Sequence, residues 1–193
     1  MPADMRRAAR TAYRVLLAQQ IRTLPVDPLT LLRLCRDTRV MTVPEAAAAL
    51  ERTEASLEAL FADADADAAT LRLPGGNADA YIVVYRPDGH PARLRFTLAH
   101  ELGHRILGHA GANSAEEQEA DCFASHLLCP DPVVRALRRP DVRSAAQRLA
   151  TACYVSLTCA RVTLRRPPVR LEDDLICAVA DLLSDPISQL TSP

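Results

Sequence analysis

Two histidines four residues apart, with a glutamate beside the first, constrain this chain more than any other feature. His100-Glu101-Leu102-Gly103-His104 is a complete HExxH pattern. On a helix, positions i and i+4 share a face, so both imidazoles reach one metal ion. Glu101 then stands beside them, placed to take a proton from water that the ion activates. The pattern therefore demands a helix with one face turned to a site. Five histidines and nine glutamates in 193 residues predict roughly 0.006 chance matches to the three fixed positions. A buried helix that merely happens to carry two histidines is a poor rival at that frequency.

Such a site needs a third protein donor. Residues 114–130 read as a helix, with Ser114 and Glu117 forming a capping-box pattern and Pro130 marking the stop. Ala120, Phe123, Ala124, Leu127 and Leu128 recur at helical spacing and define a core face. At about 100° per residue, Glu116 and Glu117 lie roughly 50° from the centre of that face, and Glu119 over 100° away. A carboxylate turned toward a core is costly unless it is paired or bound to metal. Glu119 is thus expected in solvent, and Glu116 or Glu117 as the third ligand. Asp121 breaks the tie. Four residues after Glu117 on the same flank, it is placed to orient a ligand histidine from behind, which selects Glu117. The plainer alternative makes Glu117 only a helix cap.

Two other metal patterns fail on spacing. The longer HExxHxxGxxH pattern would need its glycine and third histidine one residue away from Gly108 and His109. It would also need a downstream methionine, and the methionines here are Met1, Met5 and Met41. Asp63, Asp65 and Asp67 begin like a calcium loop, but Ala68 replaces the required glycine and Pro74 the glutamate. That run is expected to be a solvated linker.

The residues from Arg95 to His104, followed by Glu117-x-x-Ala120-Asp121-x-Phe123-Ala124-x-x-Leu127-Leu128-x-Pro130, resemble the ImmA/IrrE family of metallo-endopeptidases. The close match spans about 40 residues, and both halves occur in order. The resemblance implies metal on His100, His104 and Glu117, and a general base at Glu101. It also implies a target among helix-turn-helix transcriptional repressors. Cys129 departs from the methionine usual in that family before the proline, a change that bears on packing more than chemistry.

The net charge of −1 gives no global argument for nucleic acid or membrane. The distribution is less even. Residues 45–67 carry seven acids against Arg52, and residues 135–170 carry nine arginines against Asp141. Every one of the 23 basic residues is arginine, which suggests coding bias and discounts arginine-for-phosphate arguments. No apolar run is long enough to span a bilayer, and the first 20 residues mix arginine into an amphipathic helix, unlike a secretory signal. The six cysteines show no CxxC pairing, so no structural zinc site is expected of them, and several fall within apolar stretches as small hydrophobic residues. A cytoplasmic location is expected.

Periodicity and punctuation predict helices at residues 5–21 and from Pro28 to about Asp37, then a short strand at residues 39–41. A third helix is capped by Thr42 and Glu45, and residues 57–61 continue helical. A hairpin follows at residues 70–73 and 80–85, and the metal helix at 91–107. The strand at 81–85 reads as a core strand, with pairing to an extended substrate as the alternative. Tyr81, Tyr85, Arg95 and His126 are all candidates for stabilising an oxyanion. His126 is expected at the surface, and His109 at a helix end where the dipole favours it. Residues 145–164 resemble a helix-turn-helix, used for structure or protein docking in preference to DNA, because residues 156–160 offer few base-reading side chains. A final amphipathic helix is expected at 171–183.

The expected fold is α+β and mostly α. It has a minimal zincin-like peptidase core with a small sheet (residues 1–130) and a helical, helix-turn-helix-like C-terminal unit (131–193). The expected activity is zinc-dependent endopeptidase action on a specific protein target, a helix-turn-helix repressor, without membrane association. Manganese also suits the donor set. The alternative is a non-catalytic metal-containing regulator that binds a repressor or DNA.

Overall fold

A computed structural model of the chain describes residues 2–61, 67–73, 75, 79–109, 113–138 and 144–191. In chain order the elements are α1 (Met5–Ala18), α2 (Pro28–Arg33), β1 (Thr38–Thr42), α3 (Val43–Leu50), α4 (Glu54–Glu58) with a 3-10 turn at Ala59–Phe61, β2 (Ala68–Leu73) and β3 (Ala80–Tyr85). Then come α5 (Pro91–Leu107), α6 (Ser114–Leu128), α7 (Asp131–Leu137), α8 (Ala145–Cys153), α9 (Leu157–Arg165), α10 (Asp173–Leu182) and α11 (Ser184–Thr191). The protein is α+β and mostly α. It divides into two compact units, Asp27–Leu102 and Met1–Val26 with Gly103–Pro193.

In the unit Asp27–Leu102, a three-stranded sheet has the order β1-β3-β2. β1 runs parallel to β3 and β2 antiparallel to it. β3 is central, as its buried Ile82-Val83-Val84 demands. Both of its edges are paired, so it is a core strand and the substrate-pairing alternative fails for it. Ile82 and Val84 face a cluster with Val43, Ala46, Ala47, Leu57 and Phe61, which covers one side of the sheet with α3 and α4. Thr42 and Glu45 form the expected capping box at the start of α3. Contrary to expectation, Asp67 is not solvated. It is 1% exposed, and Arg93 grips both its carboxylate oxygens at 2.6 and 2.8 Å. A buried carboxylate survives because a guanidinium fork matches it. Asp63 and Asp65 lie outside the described residues.

In the other unit, α1 lies against α6 and α10, and α7 contacts α8, α10 and α11. α1 buries Ala8, Ala9, Ala12, Tyr13 and Leu16, while α6 buries Ala120, Phe123, Ala124 and Leu127. The small alanines on both helices suit their close packing, and the larger Tyr13, Leu16, Phe123 and Leu127 are buried with them. Arg166, just past α9, donates to Ser125, to the Cys129 carbonyl at 3.0 Å and to Asp131 at 2.6 Å. It thereby satisfies the end of α6 and the start of α7 together. α7 and α11 go beyond the sequence expectation. Pro132 and Pro186 lie in their first turns, where the missing N–H of proline is no loss. Tyr154 at φ 51° turns the chain between α8 and α9.

Candidate metal centre

Pro91 opens α5, and apolar Leu98, Ala99, Leu102 and Leu107 recur at helical spacing on its buried side. His100 and His104 consequently share the face one turn apart. Two glycines shape the end of this helix and its neighbour. A Cβ on Gly103 would stand 3.0 Å from the Phe123 ring and 3.3 Å from the Ala120 backbone. Any larger residue here would press on α6 and require it or the Phe123 ring to give by a few tenths of an ångström. Gly108, at φ 71°, ends the helix in the left-handed conformation. Its N–H donates to the Arg105 carbonyl at 3.3 Å, and that of His109 to the His104 carbonyl at 3.0 Å. These are the paired bonds of a Schellman motif, which folds the residue after the glycine back over the last turn.

α6 brings the carboxylate. Its cap is Asn113, whose side chain accepts from the Ala115 and Glu116 amides at 3.1 Å, in place of the expected Ser114–Glu117 capping box. Glu117 Oε1 instead lies 3.4 Å from His104 Nε2. One ligand atom each from His100, His104 and Glu117 falls within 4.8 Å of the others. Among the described residues this is the group of histidine, cysteine and acidic side chains able to hold a metal ion. All three residues are half-buried, so they are partly desolvated and partly exposed.

Glu101, also half-buried, accepts a hydrogen bond of 2.5 Å from the Thr70 hydroxyl on β2. Thr70 pairs with Val83, so it shares a sheet face with Tyr81 and Tyr85. Nothing in the local sequence singles out Thr70, because the contact depends on strand register rather than spacing. Arg95 is half-buried on α5.

Three side chains depart from expectation. His126 is buried, at 1% exposed, and not a surface residue. Burial, aided by Arg166, lowers its pKa to about 4. It faces the α1 side of its helix, with its ring 6.1 Å from that of Tyr13, because α1 covers a flank of α6 that the apolar pattern did not mark. For the same reason Glu119 is buried and not solvated. It accepts the Asp4 amide at 2.8 Å and pairs with Arg7 at 3.4 Å. Burial alone would raise its pKa, but the Asp4 amide, His109 and Arg7 hold it below the ordinary carboxylate range. His109 does come after a helix end, yet its side chain is only 4% exposed and lies against His104 and Glu119. Asp121 is exposed on α6.

Residues 55–165 match the IrrE N-terminal-like domain of the M78 peptidases. The chain belongs to that family. It is therefore a metal-dependent peptidase in the general sense, acting on a peptide or protein substrate. The matched segment contains both α5 and α6, and ends with α9. No curated protein matches the chain. No helix among the described residues is long and apolar enough to cross a membrane.

Proposed function

We propose that this M78 peptidase is a zinc endopeptidase in which His100, His104 and Glu117 hold the ion and Glu101 is the general base. The observation that carries this reading is the convergence of two imidazoles and one carboxylate within 4.8 Å. The donor chemistry fits: two nitrogens and one oxygen from the protein leave a fourth position open, as in catalytic rather than structural zinc, and manganese fits as well. When bound, the ion lowers the pKa of a water toward about 7 and polarises the scissile carbonyl.

The remaining work belongs to the chain's own residues. Glu101 accepts a proton from the attacking water and returns it to the leaving amine. Thr70 holds one carboxylate oxygen of Glu101, fixing the plane in which it receives that proton. Asp121 steadies a ligand imidazole. Tyr81 and Tyr85 share the sheet face of Thr70 and are placed to donate to a developing oxyanion. An extended substrate pairs with β2, which is an edge strand among the described residues and carries Thr70.

The target is a helix-turn-helix repressor, as the family resemblance implies, met in the cytoplasm, cut by residues 1–130 and docked by residues 131–193. Tyr154, Leu157 and Val162 are exposed in that region at 48%, 37% and 64%. Apolar exposure of this kind favours a protein partner over DNA.

Mass spectrometry of intact protein should find about one zinc per chain in the wild type and none in Glu117→Ala. Glu101→Gln should keep the metal and the fold, bind the repressor and leave it uncut. Cleavage at the wild-type rate by Glu101→Gln would overturn the mechanism. A wild-type protein that binds metal and repressor but never cuts would instead establish a non-catalytic regulator.

A further inference from the structure

Behind His104 lies a chain of polar groups that the peptidase mechanism does not use. His104 Nδ1 is 3.0 Å from His109 Nδ1, and His109 Nε2 is 3.2 Å from Glu119 Oε2. The two rings meet edge to face, with centroids 4.9 Å apart at 76°. Glu119 Oε1 accepts the Asp4 amide, and Arg7 pairs with Oε2 and also donates to the Leu107 carbonyl. The His109 and Glu119 side chains are 4% and 9% exposed, so water competes little for these bonds.

We propose that His109 and Glu119 form a positioning relay that fixes the tautomer and orientation of His104 and so tightens metal binding. The inference rests on the reading of His104 as a ligand. His104 Nε2 is the atom facing Glu117, and a ligating nitrogen must offer its lone pair, which leaves the proton on Nδ1. That Nδ1–H then donates to His109 Nδ1. His109, accepting there, carries its own proton on Nε2 and donates it to Glu119. Each proton position is fixed by the previous one, and the chain ends on an anion held by a backbone amide and an arginine. A carboxylate at the far end raises the basicity of the ligand imidazole.

The His104–His109 contact is local in origin. The Schellman turn at Gly108 places residue 109 against residue 104, where an apolar pair commonly packs. Here both residues are histidine, and the contact becomes a hydrogen bond. His109 touches no substrate in this scheme and acts through His104.

Zinc affinity, measured by competition with a chromogenic chelator, tests the relay. His109→Ala should weaken binding about 10- to 100-fold. His109→Gln, whose amide both accepts and donates, should recover most of that loss. Glu119→Gln should also weaken binding, because its single oxygen cannot serve the donors now shared by two. Equal zinc affinity in wild type and His109→Ala would overturn the relay and leave the ligand set intact. Absence of zinc binding by the wild type would overturn the ligand reading itself. Imidazole 15N NMR of the zinc-loaded wild type reads the same question without a variant. It should show His104 protonated on Nδ1 and His109 on Nε2 alone, and a proton on His109 Nδ1 would refute the proposal.

Discussion

His126 illustrates how one buried side chain sets a pH limit on stability. Its Nδ1 lies 2.8 Å from the Cys122 carbonyl and, when neutral, donates to it. Its folded pKa of about 4, lowered mainly by burial and then by Arg166, is below the value near 6.5 of an unfolded chain. The unfolded state therefore binds the extra proton first. The stability due to neutral His126 is complete above pH 6.5 and is lost as pH falls toward 4, by up to ~3 kcal/mol. Urea unfolding at pH 7.5 and 5 should show about 2 kcal/mol of that loss, and His126→Leu should flatten it. An unchanged pH slope in His126→Leu would assign the acid sensitivity to another group.

At the scale of elements, the site depends on how closely α6 approaches α5. Gly103 is the contact point, and Glu117 sits one turn before Ala120, which Gly103 touches. Gly103→Val would force Phe123 and the Ala120 backbone away, costing about 1–3 kcal/mol by overpacking. It should also weaken zinc binding, because a shift of α6 carries Glu117 from His104. Thermal unfolding and chelator competition on the same preparation check both effects. A variant destabilised but with wild-type zinc affinity would show that Glu117 tolerates the displacement. Capping acts at the same scale. Asn113 takes the cap of α6, which frees the Glu117 carboxylate that a capping box would have occupied. The sequence pattern pointed to Ser114 because serine followed by glutamate three residues later is the usual signature, and asparagine one residue earlier serves as well.

For the whole molecule, metal binding and folding stability are linked. An ion that binds only the native state at a free concentration of 100 times Kd stabilises it by about 2.7 kcal/mol. For a chain of this size that corresponds to a rise in Tm of about 5–10 °C. Differential scanning calorimetry with and without zinc should record it, and a chelator should reverse it. Loss of the increment in Glu117→Ala would tie it to this group of ligands, whereas its persistence would locate the ion elsewhere.

Helix α5, its histidines and the small hairpin were legible because each rests on periodicity or turn chemistry within a few residues. α6 was legible as a helix from the same kind of signal, and the order of α5 and α6 carried the family resemblance. The roles of Glu119, His126, Asp67 and Thr70 were not legible. A helical wheel drawn from apolar residues finds one buried face. α6 is covered on a second flank, where Glu119 finds polar partners in Asp4 and Arg7 and the His126 ring lies beside that of Tyr13. Likewise Asp67 is buried by Arg93 in the same compact unit, and Thr70 reaches Glu101 through strand register. Local sequence determined which segments coil and where the HExxH side chains point, since those depend on bonds within a few residues. Tertiary structure alone decided which polar side chains were buried, because that depends on partners distant in the chain whose charges and hydrogen bonds offset the loss of water.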